Sequence, residues 1–262
     1  MRITILGSGT STGVPVIGCE CETCRSEDPR DHRTRTSIMV DTQGKRIIID
    51  TSIDFREQCL RLGVKRVDAV IYTHYHFDHI GGFDDLRGLN FTMKEAVKIA
   101  ADRETLSKLK HIFSYAFQES PPKETSAPNV EVVEIGEDQW EICGIGIVTI
   151  PLWHGGMPVF GFRFGDFAYC TDCSAIPPEG MARLQGVKYL VVDGLRQTPH
   201  PTHMTLVEGC SIGREIGAEK TWLIHMSHDV LHKREEAALE GECFLSYDGL
   251  IIETEDYGWA NE

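Results

Sequence analysis

The sequence predicts an α/β protein in which two β-sheets pack together and helices cover their outer faces. Each half of the chain first presents short apolar or β-branched runs, typical of buried strands, and then segments with helical spacing. This arrangement favours layers of sheet and helix around a common core. No internal repeat and no linker-like segment divides the chain, so we expect a single domain over residues 1–262.

Composition and charge narrow the classes of function. The 262-residue chain carries 40 acidic and 26 basic residues, a formal net charge of −14. Because non-specific nucleic-acid binding depends on clustered Lys and Arg, we expect no stable complex with nucleic acid. No apolar run is long enough for a membrane helix, and Met1 leads directly into a strand-like segment without a signal-peptide pattern. We therefore expect a cytoplasmic protein that does not bind membranes.

The first quarter of the chain is predicted to begin a sheet. A glycine-rich turn at 7–13 follows the first strand, but its third glycine is one residue late for a dinucleotide-binding loop and no helix follows it. The charged residues of 25–35 indicate a solvated loop. The predicted strands here are 2–6, 37–40 and 46–49, and the predicted helix is 55–62, ending at Gly63.

The remaining elements follow from the same signals. A segment at 120–129 contains three prolines and is predicted to be a loop at the rim of the functional site. A hairpin is expected around Gly165. The predicted strands are 69–72, 95–101, 130–135, 140–150, 160–164, 167–170, 189–192, 221–224 and 249–254, and the predicted helices are 84–91, 103–117, a run that ends at 216, and 230–239.

A dense set of metal-ligand residues follows the strand at 69–72. His74, His76, Asp78 and His79 lie within six residues of one another, and two glycines come directly after them. Imidazole and carboxylate are ligands that borderline divalent metals such as zinc prefer. His74 and His76 point the same way on an extended segment, whereas Asp78 and His79 lie beyond the turn and can face a second position. The segment therefore predicts ligands for two adjacent metals.

Three of the nine cysteines form a second cluster. Cys19, Cys21 and Cys24 follow the pattern C-x-C-x-x-C, which places three thiolates close enough for a tetrahedral zinc site that needs a fourth ligand. Free thiols are the alternative, while a redox pair would lack the usual βαβ context. An odd number of cysteines in a chain of this length argues against a secreted disulfide scaffold.

The motif H-x-H-x-D-H after an apolar strand resembles the signature of the metallo-β-lactamase superfamily. The resemblance implies the αββα four-layer sandwich with two mixed sheets, and a binuclear metal site with Asp172 bridging the two ions. It implies that Asp50 supports the site through a ligand, although capping of a helix is an equally good reading of this residue. The resemblance assigns His74, His76 and His154 to one metal, and Asp78, His79 and His225 to the other.

Within the superfamily, the added cysteine cluster makes the chain similar to the phosphoribosyl cyclic phosphodiesterases of bacterial phosphonate utilisation. That similarity implies that His228 completes a structural zinc site, with two zinc or manganese ions at the active site. It implies that His203, expected just before a helix and partly exposed, protonates the leaving group, with His200 as its rival. Hydroxide generated at the metals would attack a small cyclic or nucleotide-like phosphodiester, so Asp78, Asp172 and His203 are the expected catalytic residues.

Three alternatives remain beside the phosphodiesterase. A thioester or lactone hydrolase could use the same metals, and a non-hydrolytic cofactor-biosynthesis or binding protein could share the cysteine cluster. A transfer-RNA 3′ endonuclease would need a basic arm that this sequence lacks. A homodimer is expected from the frequency of that assembly among soluble proteins.

Overall fold

Two seven-stranded sheets form the centre of the molecule. The computed structural model describes residues 1–118 and 127–255. The first sheet contains β1 Arg2–Gly7, β2 Ser37–Thr42, β3 Lys45–Ile49, β4 Ala69–Ile71, β5 Val97–Ala101, β6 Val130–Glu134 and β14 Ile251–Glu253. The second contains β7 Gln139–Ile142, β8 Ile145–His154, β9 Met157–Phe164, β10 Phe167–Cys170, β11 Tyr189–Asp193, β12 Lys220–Ile224 and β13 Cys243–Leu245.

Both sheets are mixed, and they share one plan. The first has the order β14-β1-β2-β3-β4-β5-β6, antiparallel up to β3 and parallel from β3 to β6. The second has the order β13-β12-β11-β10-β9-β8-β7, antiparallel from β7 to β10 and parallel from β10 to β13. The parallel strands of each sheet therefore end at a common edge, where polar residues of successive strands can meet.

The alternation of side chains along the strands separates the layers. In β3, Ile47 and Ile49 join the core between the two sheets, which also contains Phe162 and Val191 of the second sheet. Ile48 points the other way, into the core between the first sheet and its helices. This period of two is what a strand buried on both faces requires.

Helices cover both outer faces. Helical residues Phe55, Leu86 and Leu109 pack on the first sheet, whereas Leu206 and Cys210 pack on the second. The αββα sandwich is thereby confirmed. None of the described helices has the length and apolar character to span a bilayer. The helices are α1 Phe55–Arg61, α2 Phe77–Ile80, α3 Leu86–Met93, α4 Arg103–Ile112, α5 Pro178–Arg183, α6 Leu206–Ile216 and α7 His232–Glu236.

Several predicted boundaries differ from the structure. The strand expected over 140–150 is a hairpin of β7 and β8, because Cys143 and Gly144 adopt positive φ angles of 55° and 83° and form a tight turn. The helix expected over 103–117 ends at Ile112 and gives way to a 3-10 turn at Ser114–Ala116, and the one expected over 230–239 is reduced to α7. The predicted rim loop at 120–129 lies mostly outside the described residues.

Two features were not anticipated. Cys210 of α6 and Cys243 of β13 form a disulfide with their Cα atoms 5.7 Å apart, which ties a helix to the edge of the second sheet. Within the segment predicted to be a solvated loop, the side chains of Asp31 and Arg33 are 1% and 0% exposed. They form a buried ion pair, and composition cannot distinguish such a pair from charges that face water.

Candidate active site

The first predicted ligand group converges at the edge where the parallel strands end. His74 and His76 follow β4, and His154 is the last residue of β8. The ring centres of His74 and His76 are 4.6 Å apart, and that of His154 lies 5.1 Å from His76. One ligand atom from each of His74, His76 and Asp172 lies within 4.8 Å of the others. The structure thus brings together the three histidines that the family resemblance assigned to one metal.

The second predicted group surrounds an adjacent point. One ligand atom each from Asp78, His79, Asp172 and His225 lies within 4.8 Å of the others. Oδ2 of Asp78 lies 3.4 Å from Nε2 of His79 and 3.8 Å from Nε2 of His225. His225 directly follows β12 and reaches this point from the second sheet, whereas Asp78 and His79 belong to α2 next to the first sheet. The group therefore spans the junction of the two sheets.

Asp172 lies between the two groups. Its Oδ1 atom is 3.2 Å from Nε2 of His79 and 3.1 Å from Nε2 of His225. Its Oδ2 atom is 3.8 Å from Nε2 of His74, on the side of the first group. Each carboxylate oxygen thus faces a different ligand group, which is the geometry that a bridging ligand needs.

The imidazoles of this cluster suit metal binding. The Nε2 atoms of His74, His79 and His225 are buried, and they have no hydrogen-bond partner among the described residues. A buried polar atom without a partner is costly unless a ligand satisfies it. Burial lowers the pKa of His76, and it lowers the pKa of His154 to about 4. These rings are therefore neutral at physiological pH and can offer a lone pair.

The carboxylates of the cluster are held in the charged form. Burial alone would raise the pKa of Asp172, but His225 and His79 outweigh it and lower this pKa well below its ordinary value. The pKa of Asp78 is lowered in the same way, with burial opposed chiefly by His79. The neutral imidazoles of His76 and His154 beside the ionised carboxylates of Asp78 and Asp172 offer the types of donor that zinc and manganese prefer.

A buried carboxylate orients His79 from behind. Oδ2 of Asp50 accepts a 2.7 Å hydrogen bond from Nδ1 of His79 and another from the Thr73 hydroxyl, while Oδ1 accepts one from the Thr73 amide. These contacts leave Nε2 of His79 for the metal group. The alternative reading of Asp50 as a helix cap is wrong, because Asp54 occupies the N-cap position of α1.

Three residues of the site share an uncommon backbone conformation. Asp50, Asp172 and His225 have positive φ angles of 66°, 51° and 65°. Each follows a strand closely, so the chain turns sharply as it leaves the sheet and directs the side chain inward. A left-handed conformation in a residue other than glycine is strained and persists only where the surroundings enforce it.

His203 lies at the edge of the cluster, held by a residue that the sequence analysis missed. Its Nδ1 atom donates to Oδ2 of Asp193 at 2.9 Å, and one of its ring nitrogens lies within 4.8 Å of ligand atoms of His154 and Asp172. The residue is partly exposed, as expected, although only 9% of its side chain is exposed. His200 lies outside this group of ligand atoms, with its ring centre 5.2 Å from that of His203.

Asp193 is held rigidly in place beside His203. Its carboxylate is fully buried at the end of β11 and also accepts hydrogen bonds from the amides of Cys173 and Met204. Burial lowers the pKa of His203, whereas it raises the pKa of Asp193 well above its ordinary value. An aspartate at the end of a buried strand was the available signal for Asp193, since Asp172 likewise lies within two residues of the end of β10.

The cysteine cluster closes around the expected histidine. Nδ1 of His228 lies 3.2 Å, 3.6 Å and 3.7 Å from the sulfur atoms of Cys19, Cys21 and Cys24. The edges of a zinc tetrahedron with bonds of about 2.1–2.3 Å are roughly 3.5–3.8 Å long. A hydrogen bond from the Cys24 amide lowers the pKa of Cys21 to about 7, whereas burial raises that of Cys24 to about 11. The four ligand atoms fit one tetrahedral ion.

The packed mixed sheets and the histidine–aspartate cluster at their edge define the class of protein. A family model described as a β-lactamase superfamily domain matches residues 45–226. The chain belongs to the metallo-β-lactamase superfamily, and the resemblance seen in the H-x-H-x-D-H motif is confirmed.

Individual relatives refine this placement. A solved diphosphatase of the PhnP family superposes with a TM-score of 0.90 at 43% identity, covering 97% of this chain and 98% of that one. An octanoyltransferase of Porphyromonas gingivalis is 39% identical over 254 residues, which are 95% of this chain but 51% of the relative, so the chain spans about half its length. Zinc-bound PqqB of Methylobacterium extorquens shares the fold, with a TM-score of 0.77, 19% identity, and coverage of 97% and 100%.

Proposed function

We propose that the chain hydrolyses a small phosphodiester, cyclic or nucleotide-like, with two divalent metal ions at the cluster around Asp172. The observation that carries the proposal is the pair of His203 and Asp193 beside that cluster. The alkyl leaving group of a phosphodiester departs as a strongly basic alkoxide, which needs a proton donor. A histidine held against the metal ligands supplies that donor.

The residues that would hold the ions divide as the family resemblance implies. His74, His76 and His154 would hold one ion, Asp78, His79 and His225 the other, and Asp172 would contact both. Two zinc or manganese ions would supply Lewis acidity toward a phosphoryl oxygen and lower the pKa of a nearby water molecule. A third ion, zinc, would be held by Cys19, Cys21, Cys24 and His228 and serve the fold.

His203 would act as the general acid. Oδ2 of Asp193 accepts a hydrogen bond from Nδ1 of His203 and so fixes the orientation of the ring. Nε2 is then the nitrogen that can carry a second proton to the departing oxygen. We favour His203 over His200 because a ring nitrogen of His203 lies within reach of the ligand atoms of His154 and Asp172.

A leaving-group comparison tests this assignment. Metal-reconstituted wild type, His203→Ala and Asp172→Ala would be assayed on bis(p-nitrophenyl) phosphate and on a nucleoside 2′,3′-cyclic phosphate. We expect His203→Ala to lower kcat by about 10²–10⁴-fold on the cyclic ester. It should have little effect on the nitrophenyl ester, whose leaving group departs without protonation. Asp172→Ala should lose both activities.

A matched histidine provides the control. His111 lies on the exposed side of α4, and His111→Ala should retain both activities. Equal losses on both esters in His203→Ala, or no loss on either, would remove His203 from the role of general acid. If the protein binds metal but hydrolyses no phosphate ester, the proposed phosphodiesterase activity is excluded.

A diphosphate substrate is the second candidate. The observation that favours it is the 43% identity to the diphosphatase of the PhnP family. The leaving group would then be a weakly basic phosphate, so His203→Ala should spare most of the activity. Two results together would favour a diphosphatase: a nucleoside diphosphate is hydrolysed much faster than either diester, and His203→Ala retains most of that activity.

An acyl substrate belongs in the same screen. The name of the octanoyltransferase relative describes acyl transfer by a protein of about twice this length. Metal-dependent hydrolysis of an aryl thioester or a lactone, in the absence of phosphate-ester turnover, would replace the phosphodiesterase with an acyl hydrolase.

A further inference from the structure

The buried arginine Arg33 contacts residues on both sides of His228. Its guanidinium group is 0% exposed and donates from three nitrogens. Nε donates to the carbonyl of Arg30 at 3.1 Å, and one terminal nitrogen donates to the carbonyl of Ser227 at 3.1 Å. The other donates to the carbonyl of Val230 at 2.8 Å and to Oδ1 of Asp31 at 3.0 Å.

The partners of Arg33 flank the residues that matter. Ser227 and Val230 lie on either side of His228, the nitrogen ligand of the cysteine site. Ser227 is also two residues beyond His225, which belongs to the cluster around Asp172. The guanidinium group therefore holds the segment 225–230 at two points, and this segment carries one ligand of each site.

The backbone of Arg33 reaches the other half of the cysteine site. Its amide donates to the carbonyl of Val14 at 2.7 Å and its carbonyl accepts from the Val14 amide at 2.9 Å. Val14 leads into the loop whose Val16 amide contacts the sulfur of Cys24 at 3.3 Å. One residue thus fastens the thiolate loop with its backbone and the histidine segment with its side chain.

The backbone between His225 and His228 is held by hydrogen bonds to other parts of the chain. The amide of Met226 donates to the Ser8 carbonyl, its carbonyl accepts from Thr10, and the Ser227 amide donates to Leu195. His225 itself has a φ of 65°, a conformation that these neighbours must enforce. The two residues between these ligands are therefore held in one conformation, and the placement of His225 depends on that conformation.

The chemistry of arginine suits this role. Five donors in a planar fork can satisfy several carbonyls at once, which lysine cannot do. A buried ion pair is expensive, and an apolar residue of similar volume is often at least as stabilising. The guanidinium group of Arg33 is 0% exposed, and its donors are spread over the segment that carries the ligands. Positioning of this segment therefore explains the buried charge better than a gain in folding stability does.

We propose that Arg33 is a positioning residue that couples the cysteine site to the binuclear site. Zinc held by the cysteines and His228 sets, through Arg33 and the segment 225–230, how tightly the binuclear site holds its metals. The inference rests on the metal assignments of the proposed function. It extends them, because the zinc site then controls the reaction centre as well as the fold.

A double-mutant cycle tests the coupling. Wild type, Cys21→Ser, Arg33→Met and the double variant would be compared by competition with a chromophoric chelator, which gives the zinc affinity of the binuclear site without an activity assay. We expect Cys21→Ser to weaken this affinity by about 10–100-fold, the range seen when a residue that orients a ligand is lost. In the Arg33→Met background the same change should add less than about 2-fold, because the connection is already broken.

A control separates positioning from general destabilisation. Leu109 is buried on α4 and belongs to neither group of metal ligands, and Leu109→Ala should lower stability by about 2–5 kcal/mol. Its zinc affinity at the binuclear site should equal that of wild type. If Leu109→Ala weakens metal binding as Cys21→Ser does, loss of stability explains both results and the coupling is overturned.

A spectroscopic measurement keeps the test independent of whether Arg33→Met folds. The d–d absorption bands of cobalt in the binuclear site would be compared between wild type, whose cysteine site is first filled with zinc, and Cys21→Ser, both with Arg33 intact. We expect these bands to shift in Cys21→Ser, in which the cysteine site is empty. Excess cobalt added to the binuclear site of this variant should not restore the wild-type spectrum. Identical spectra, or additive affinity changes in the cycle, would overturn the coupling.

The outcomes separate this inference from the proposed function. If the wild-type protein binds no metal at the binuclear site, both the proposed function and the coupling are excluded. A wild-type protein that holds two metals there with an affinity unaffected by Cys21→Ser would remove the coupling and leave the hydrolase intact.

Discussion

Nδ1 of His79 donates a 2.7 Å hydrogen bond to Oδ2 of Asp50, and both side chains are fully buried. This contact fixes the tautomer of His79 and leaves Nε2 facing Asp172 at 3.2 Å. Asp50 is itself held by the amide and hydroxyl of Thr73. A chain of hydrogen bonds from the first sheet therefore determines how one metal ligand is presented.

Loss of this contact should weaken metal binding. We expect Asp50→Asn to lower the metal affinity of the binuclear site by about 10–100-fold, because the amide can donate to His79 and favour the wrong tautomer. Competition with a chelator measures the affinity. Asp54→Asn is the matched control, since Asp54 is also a carboxylate after β3 but pairs with Arg35 instead. Equal affinities for Asp50→Asn and Asp54→Asn would contradict the assignment of Asp50.

Cysteine reactivity should depend on pH in a site-specific way. With a pKa of about 7, Cys21 in the metal-free protein becomes a thiolate as pH rises through neutrality, so its alkylation should accelerate between about pH 6 and 8. Burial raises the pKa of Cys59 to about 12, which should leave it unreactive over that range. Iodoacetamide labelling followed by mass mapping gives both rates in one sample.

Zinc provides the control for the same experiment. Saturation with zinc should protect Cys21 at every pH, since its sulfur would then be a ligand. Labelling of Cys21 at an unchanged rate in zinc-saturated protein would show that the cysteine site does not hold the ion.

Packing between the sheets should dominate stability. Phe162 of β9 is fully buried in the core between the two sheets, and Phe162→Ala should lower the free energy of unfolding by about 3–5 kcal/mol. Phe91 of α3 is 70% exposed, so Phe91→Ala should change it by less than about 0.5 kcal/mol. Urea denaturation of the two variants gives the comparison, and equal midpoints would contradict the packing.

The sequence predicts the fold well because its information is local. Strands buried on both faces, such as β3 with its run of isoleucines, are recognisable from a few consecutive residues. The metal ligands His74, His76, Asp78 and His79 occur within one short segment, as do the three cysteines. His154, Asp172 and His225 came from the family resemblance, because each stands alone at the end of its own strand.

Other features depend on contacts between distant parts of the chain. Arg33 lies in a charged segment whose composition suggests solvent, and its burial becomes visible only when residues 227 and 230 close over it. The pairing of Asp193 with His203 likewise depends on how β11 and the following loop meet. The ends of α4 and α7 were misjudged because helical periodicity continues beyond the point where packing stops supporting a helix.

The left-handed conformations of Asp50, Asp172 and His225 have a consequence for laboratory evolution. Each costs about 1–3 kcal/mol, against a typical total stability of about 5–15 kcal/mol. Selection for thermal tolerance without metal would therefore favour glycine at positions 172 and 225, since glycine adopts the conformation without strain. Asp50 differs, because its carboxylate accepts hydrogen bonds from His79 and Thr73 that glycine would lose. The most heat-resistant descendants would be the ones that had lost the chemistry, so a thermostable variant must be selected in the presence of metal and substrate.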